Sequence, residues 1–517
     1  MKINRLENSR RNIASGIALN AYKILMPFVM RTVMLYVLGI EYLGLNSLFA
    51  SILQVLNLAE LGVGSAMVYS MYRPIAEDST EEINALMALY RRYYRIIGFA
   101  VLVLGLSVLP VIDKLIKVDT VPGDINIYII YILNLAATVL SYWLFAYKNS
   151  ILSAHQREDV INNVNLAVSA VLYAVQIVLL IAFKNYYLYV AAIAAAQLAI
   201  NILTAVRSER LYPKYNPHGT LSKEKTREIN GRVKDLFTSR IGSVIVNSAD
   251  TIVISAFLGL GVLAVYQNYY FIMMAVVGMI TVIFTSCRAG IGNSLITEKK
   301  EKNFGDLKKF TLIISWICCI CSAAFLAVYQ PFMRMWTGEE NLMEYSAVVC
   351  LVIYFYVFEI NQLFNLYKDS AGIWHTDRFR TIVTALTNLA LNLLTVNFWG
   401  LYGVILSTVI SIVFVGVPWI LHNLFTTVFT KDYAKGYVLL LLKYTGASVL
   451  SCTAVAAIMS LVPLGGLAKI ITGLAVSVLL PNAVMYAFFR KTEEFRGCKE
   501  LLNGVTRGRL EGIISRI

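Results

Sequence analysis

Four basic side chains interrupt long apolar runs of this 517-residue chain: Lys23, Arg31, Arg240 and Arg288. A charge in such a run is costly unless it faces a bundle interior or a water-filled cavity. Asn20, Lys23, Pro27 and Arg31 recur at i, i+3, i+7 and i+11, which lays them along one stripe of a helix. A stripe of ammonium, guanidinium and amide groups is suited to holding an anion. Arg31 lies about 30 Å along the helix from Arg11, within snorkelling reach of the far headgroups. Lys23, about 18 Å along, falls near the midplane and has no such escape. Arg240 is only about 9 Å beyond Lys234, so an interfacial position is open to it. Lys23 is therefore the base hardest to explain by structure alone.

Three acids accompany these bases: Glu60, Asp250 and Glu359. Glu60 shares a helix face with Asn57 and Gly64, and an offset of 228 residues sets it in register with Arg288. The two are expected either to close a gate by pairing or to pair separately, each in its own half. Asp250 and Glu359 are candidates to hold a coupling cation, H+ or Na+, or to neutralise a neighbouring base; the membrane potential is a further energy source. "CCIC", ending at Cys321, has no clustered His or carboxylate beside it, so packing is expected rather than metal binding. There is no phosphate loop, no His-rich metal motif and no dinucleotide fingerprint on a strand–helix unit. No cofactor is expected.

These residues must be positioned by spanning helices. The chain is 58% hydrophobic and only 15% charged, with apolar stretches of membrane length from end to end. A formal charge of +14 would suggest nucleic acid in a soluble protein; here the distribution matters more, and no nucleic acid is expected. Lys2, Arg5, Arg10 and Arg11 precede the first apolar run, and Arg490, Lys491, Arg496, Arg507 and Arg509 follow the last. Most Lys and Arg fall on one set of alternating breaks, whereas the other set carries Lys114, Lys117, Lys184, Arg334 and Lys469. By the positive-inside rule both termini are cytoplasmic. The expectation is an all-α polytopic membrane protein with about fourteen transmembrane helices.

The chain also repeats itself. "YKNSILSAHQRED" from Tyr147 lies 220 residues before "YKDSAGIWHTDRF" from Tyr367, and "LGIEYLGL" from Leu38 lies 220 before "LGLGVLAV" from Leu258. At the same offset Arg240, Ser243, Asn247 and Thr251 match the stripe of the first helix. The reading is two parallel six-helix repeats plus two C-terminal helices. Residues 1–206 form the first lobe, 207–234 a basic linker, 235–424 the second lobe, 437–489 an added pair and 490–517 a basic tail. His155 and His375 fall in equivalent turns, where hydrogen bonding is expected.

At "VLGIEYLGLNSLFASILQVLNLAELGVGSAMVYSMYRPIAED", residues 37–78, the sequence resembles the polysaccharide transport family. This comprises the Wzx-type flippases of lipid-linked sugar repeat units, within the multidrug/oligosaccharidyl-lipid/polysaccharide exporter superfamily. The likeness extends over nearly the whole chain through the duplication and the span count. It implies two lobes alternating access to a cationic central cavity in a bacterial plasma membrane. Its implied substrate is an undecaprenyl-diphosphate-linked oligosaccharide, carried from inner to outer leaflet for surface polysaccharide synthesis. Membrane lipids, a polysaccharide polymerase and other assembly proteins are its implied partners. The family has no invariant catalytic motif, so the individual residues come from the stripes: Asn20, Lys23, Arg31, Arg240, Asn247 and Arg288 for substrate. A cation-coupled drug exporter of the same superfamily is the alternative, although four internal bases against three acids disfavour it. A membrane glycosyl polymerase or ligase would need a substantial outer loop, and 113–124 and 331–344 are short.

Overall fold

Backbone N–H and C=O groups in lipid must be satisfied within the chain, so long apolar runs fold as helices. The computed structural model of the chain describes residues 5–60, 62–117 and 121–505, and its regular elements there are all helical. Lys2, Arg507 and Arg509 lie outside the described residues, as do the side chains of Arg5, Arg10, Arg240, Ser243, Asn247 and His375. The protein is a multi-pass, all-α membrane protein. Among the described residues ten helices are long and apolar enough to span, or eleven when the bent pair Ile127–Trp143 and Ala146–Ala154 counts as one span. Two shorter apolar helices, Ile40–Leu56 and Val244–Leu258, add to these. The long run Arg380–Thr427 is broken at Gly400, whose φ of 54° is not helical. About fourteen spans fit this set.

The chain separates into two compact units, Met1–Ala264 and Val265–Ile517. In the first are α1 (Arg5–Val37), α2 (Ile40–Leu56), α3 (Val63–Ala76), α4 (Thr80–Val108), α5 (Ile127–Trp143), α6 (Asn149–Ala154), α7 (Glu158–Phe183), α8 (Tyr186–Leu211) and α9 (Lys223–Leu258). The apolar run 41–71 is expected as one span, but the chain turns between α2 and α3. Gly62 sits there at φ 89°, and a Cβ on it would lie 2.5 Å from Leu236 Cβ. A residue without a side chain is required at that corner. Although the 220-residue repeat sets α9 at the head of the second half, its compact packing is with α2 in the first unit.

The N-terminal end of α1 is tied to the α6–α7 turn. Asn12 Nδ2 donates to Gln156 O at 3.0 Å, Asp159 N donates to Asn12 Oδ1 at 2.8 Å, and Asn162 Nδ2 donates to Ser15 Oγ at 3.2 Å. Tyr22 meets Tyr173 further along, with ring centroids 5.8 Å apart. Asn201 Nδ2 of α8 donates to Ser141 O of α5 at 2.8 Å, so a polar contact joins these two helices as well.

The second unit holds α10 (Leu260–Thr297, from Val265 onward), α11 (Lys300–Thr337), α12 (Tyr345–Ser370), α13 (Trp374–Asp377), α14 (Arg380–Ser411), α15 (Val417–Thr427), α16 (Asp432–Leu461), α17 (Gly466–Phe489) and α18 (Glu493–Val505). Cys318 and Cys319 of α11 are fully buried, and Cys319 packs into a core with Tyr444 of α16 and Met485 of α17.

Candidate functional site

On α1, contacts to α6 and α7 occupy the face carrying Asn12, Ser15 and Tyr22. Asn20 and Lys23 are left exposed and make no hydrogen bond or ion pair among the described residues. Arg31 is half-buried beside Tyr189 of α8. The stripe thus offers an uncommitted ammonium and amide midway along a spanning helix. Arg240 and Asn247 belong to α9, but their side chains are outside the description. Asp250 and Thr251 on the same helix are buried, and both are engaged in interactions.

Glu60 ends the turn after α2 and is the focus of a tyrosine network that the sequence reading missed. Tyr90 donates to Tyr94 at 2.8 Å, Tyr94 donates to Glu60 Oε1, and the Tyr142 hydroxyl lies 2.8 Å from Asn57 Oδ1 and 3.2 Å from Glu60 Oε2. The i, i+4 spacing of Tyr90 and Tyr94 was the available signal; Tyr142 comes from α5 and had none. Arg288 Nη2 in α10 meets Asp369 Oδ2 at 3.3 Å, and its backbone oxygen accepts from Ser370 Oγ at 3.2 Å. Each residue of the expected gate therefore has partners inside its own unit.

Glu359 in α12 is fully buried, and neither carboxylate oxygen has a hydrogen-bond partner among the described residues. Its titratable neighbours are the thiols of Cys318 and Cys321 on α11. The hydroxyls of Ser315 and Ser322 on α11 are likewise buried and unsatisfied. An ionised carboxylate in such a place costs several kcal/mol unless a proton or cation compensates it.

The two repeated stretches serve as helix-connecting clamps. In the first, Lys148 is buried and pairs with Glu209, and His155 Nδ1 lies 2.9 Å from Ile151 O with its ring 4.2 Å from that of Tyr212. In the second, the buried Arg380 guanidinium donates to Asp377 at 2.8 Å and to Asn365 Oδ1 at 2.7 Å, while Asn423 donates to Asp377 at 3.0 Å. The shared Tyr-Lys opening thus leads to different polar networks in the two copies.

These features can be set against known proteins. The family model for Polysaccharide biosynthesis protein matches residues 9–287, more than half of the chain. The chain belongs to that family. No curated protein sequence matches it. Among solved structures it resembles lipid II flippase MurJ in an inward closed conformation, with TM-score 0.68 and 14% identity over 92% of this chain and 99% of that one. It also resembles a multidrug resistance MATE family transporter of the MOP superfamily, inward-facing, with TM-score 0.60 and 16% identity over 81% and 96% of the two chains. A Vibrio cholerae MATE transporter gives TM-score 0.55 and 13% identity over 81% and 98%. At such identities the shared property is the fold. This member of the polysaccharide biosynthesis family has the fold of MOP superfamily transporters.

Proposed function

We propose that the chain is a flippase carrying a polyprenyl-diphosphate-linked oligosaccharide from the inner to the outer leaflet of a bacterial plasma membrane. The observation that carries this reading is Lys23, an exposed and uncommitted ammonium midway along a spanning helix of a polysaccharide-biosynthesis family member. Asn20 and Arg31 on the same stripe, with Arg240, Asn247 and Arg288, complete the anion-binding set. The substrate's diphosphate and sugars are too polar for hydrocarbon, whereas its polyprenyl tail is not. Two lobes alternating access could enclose the head while the tail stays in lipid. An inside-negative potential favours outward movement of an anion by about 2.3 kcal/mol per charge per 100 mV. Glu359 and Asp250 are the candidates for proton or Na+ coupling, and Glu60 with Arg288 for gating. Both termini are assigned to the cytoplasm, with a polysaccharide polymerase and other assembly proteins as partners.

Deletion of this chain in its own cells tests the reading. Lipid-linked oligosaccharide should accumulate on the inner leaflet while the surface polysaccharide disappears. Normal surface polysaccharide with no accumulated lipid-linked sugar would refute it.

A further inference from the structure

Two stretches singled out in the sequence, residues 60–77 and 147–158, come together in the first unit and leave two adjoining cavities. One, of about 510 Å³, is bordered by Glu60, Ser65, Tyr90 and Tyr94 and by Asn149, Ser153 and Glu158 of the first repeated stretch. The other, of about 620 Å³, is bordered by the end of α3 and the start of α9. Tyr69 and Tyr72 belong to the walls of both. Each volume lies within the roughly 300–1,000 Å³ of small-molecule sites.

The chemistry of the walls selects the ligand. The smaller cavity has no basic side chain but two carboxylates, so a phosphate would meet repulsion there. In the larger one the bases are already balanced: Arg73 pairs with Glu77 at 2.8 Å, Lys225 with Glu82 at 2.7 Å and Arg232 with Glu228 at 2.6 Å. Ser65, Asn149 and Ser153 commit no side-chain donor or acceptor to the described residues. Free hydroxyls and an amide both donate and accept, which matches a ligand whose hydroxyls do the same. Tyr69 and Tyr72 are 60% and 47% exposed, and their hydroxyls make no hydrogen bond to the described residues. The Arg232 guanidinium covers one face of Tyr69, 4.6 Å from its centroid, and the two rings meet edge-on with centroids 6.1 Å apart. Their π-faces complement the C–H faces of a pyranose. An organic cation would also favour carboxylates and rings. Yet Glu60 already accepts from Tyr94 and the carboxylates of the larger cavity are paired, which leaves Glu158 as the one lining carboxylate without a partner among the described residues. The equivalent region of the second unit carries polar side chains too, Ser294, Asn303, Asp306 and Tyr367 beside Ile291, Leu295 and Phe310. But it has one lining tyrosine rather than the pair Tyr69 and Tyr72, Ser294 and Asn303 bond each other, and Arg288 closes on Asp369 nearby.

We propose that this groove is a carbohydrate-recognition subsite, with Tyr69 and Tyr72 as stacking platforms and Ser65, Asn149 and Ser153 reading sugar hydroxyls. It rests on the flippase reading and assigns the sugar to a place separate from the bases of the α1 stripe.

The test uses the full-length protein purified in detergent and lipid-linked material extracted from cells lacking it. Mild acid releases the glycan, and its binding is compared with that of sugar-free undecaprenyl diphosphate and of the organic cation tetraphenylphosphonium. Tyr69→Ala with Tyr72→Ala should weaken glycan binding at least tenfold and leave undecaprenyl diphosphate binding within twofold. Phe at both positions should restore the glycan, and Asn149→Ala should weaken it without ring loss. Equal glycan binding by the Ala pair and the wild type would overturn the subsite while leaving the flippase reading intact. So would a loss confined to tetraphenylphosphonium, which would make the groove a cation site. If the cells accumulate no lipid-linked glycan, the flippase reading falls and the subsite falls with it.

Discussion

Lys23 is where charge, depth and lack of partners coincide. A buried ion pair resists removal of either member, because the survivor is left uncompensated. Lys23 has no such member among the described residues, so Lys23→Ala should insert and fold like the wild type. If it binds a diphosphate, the lost charge-assisted hydrogen bond is worth about 1.5–3 kcal/mol, and flipping should fall roughly ten- to a hundredfold. Lys23→Arg should keep more activity, since a mobile polyanion responds to charge more than to shape. Inner-leaflet lipid-linked oligosaccharide, measured beside membrane protein level, separates these outcomes; unimpaired flipping by well-inserted Lys23→Ala removes Lys23 from the site. Lys23 was legible in the sequence because depth follows directly from helical rise and the position of flanking charge. The Glu60 network was not, because Tyr94 and Tyr142 lie 34 and 82 residues away and only the folded packing of α4 and α5 brings them to it. Arg288 behaves likewise: its charge was plain, but Asp369 is 81 residues distant.

Among the elements, α18 tests how a short polar helix is held to a membrane bundle. Its N-terminal Thr492 receives the Phe495 amide at 3.3 Å, Phe495 stacks on Trp316 with centroids 5.9 Å apart, and Lys308 of α11 pairs with Glu494 at 2.9 Å. Burial works to raise the Glu494 carboxyl, but the Lys308 hydrogen bond and charge outweigh it and hold it below its ordinary value. A carboxyl lowered by docking contributes stability that is fully present above its undocked value, near 4.3, and lost as pH falls through the docked one. α18 should therefore stay docked at neutral pH and loosen progressively below about pH 4. Lys308→Ala should loosen it already at pH 7, by about 1.5–3 kcal/mol, because Glu494 then keeps its burial without its partner. Amide exchange across 493–505, corrected for the intrinsic pH dependence, reads both effects. Exchange unchanged by Lys308→Ala would show that Phe495 and its aromatic neighbours hold the helix alone. In the sequence 490–517 reads only as a basic tail, because the apolar periodicity in 493–505 is short and its partner Trp316 is remote.

For the whole molecule, the polytopic helical class followed from apolar run lengths, and those runs correspond to helices because lipid allows few other solutions. Boundaries followed less well. Span 41–71 breaks at Gly62, where a positive φ rather than a polar residue marks the corner, whereas the expected break between 398 and 401 falls at Gly400, also at positive φ. Orientation rests on charge distribution, and the breaks 212–222 and 115–126 should face opposite sides. Single cysteines placed in a background free of the seven native ones test this. Gly219 is a poor choice, since its φ of 83° strains any side chain, whereas Thr220 is exposed and carries a Cβ already. At Gly123 an added Cβ meets nothing within 4 Å. In intact cells Gly123→Cys should react with an impermeant maleimide and Thr220→Cys should react only after the membrane is opened. The reverse pattern would place the termini outside and make the proposed sugar groove, which includes Leu221 and Lys225, open to the wrong face for loading. Orientation and the place of sugar recognition therefore stand or fall on the same pair of labels.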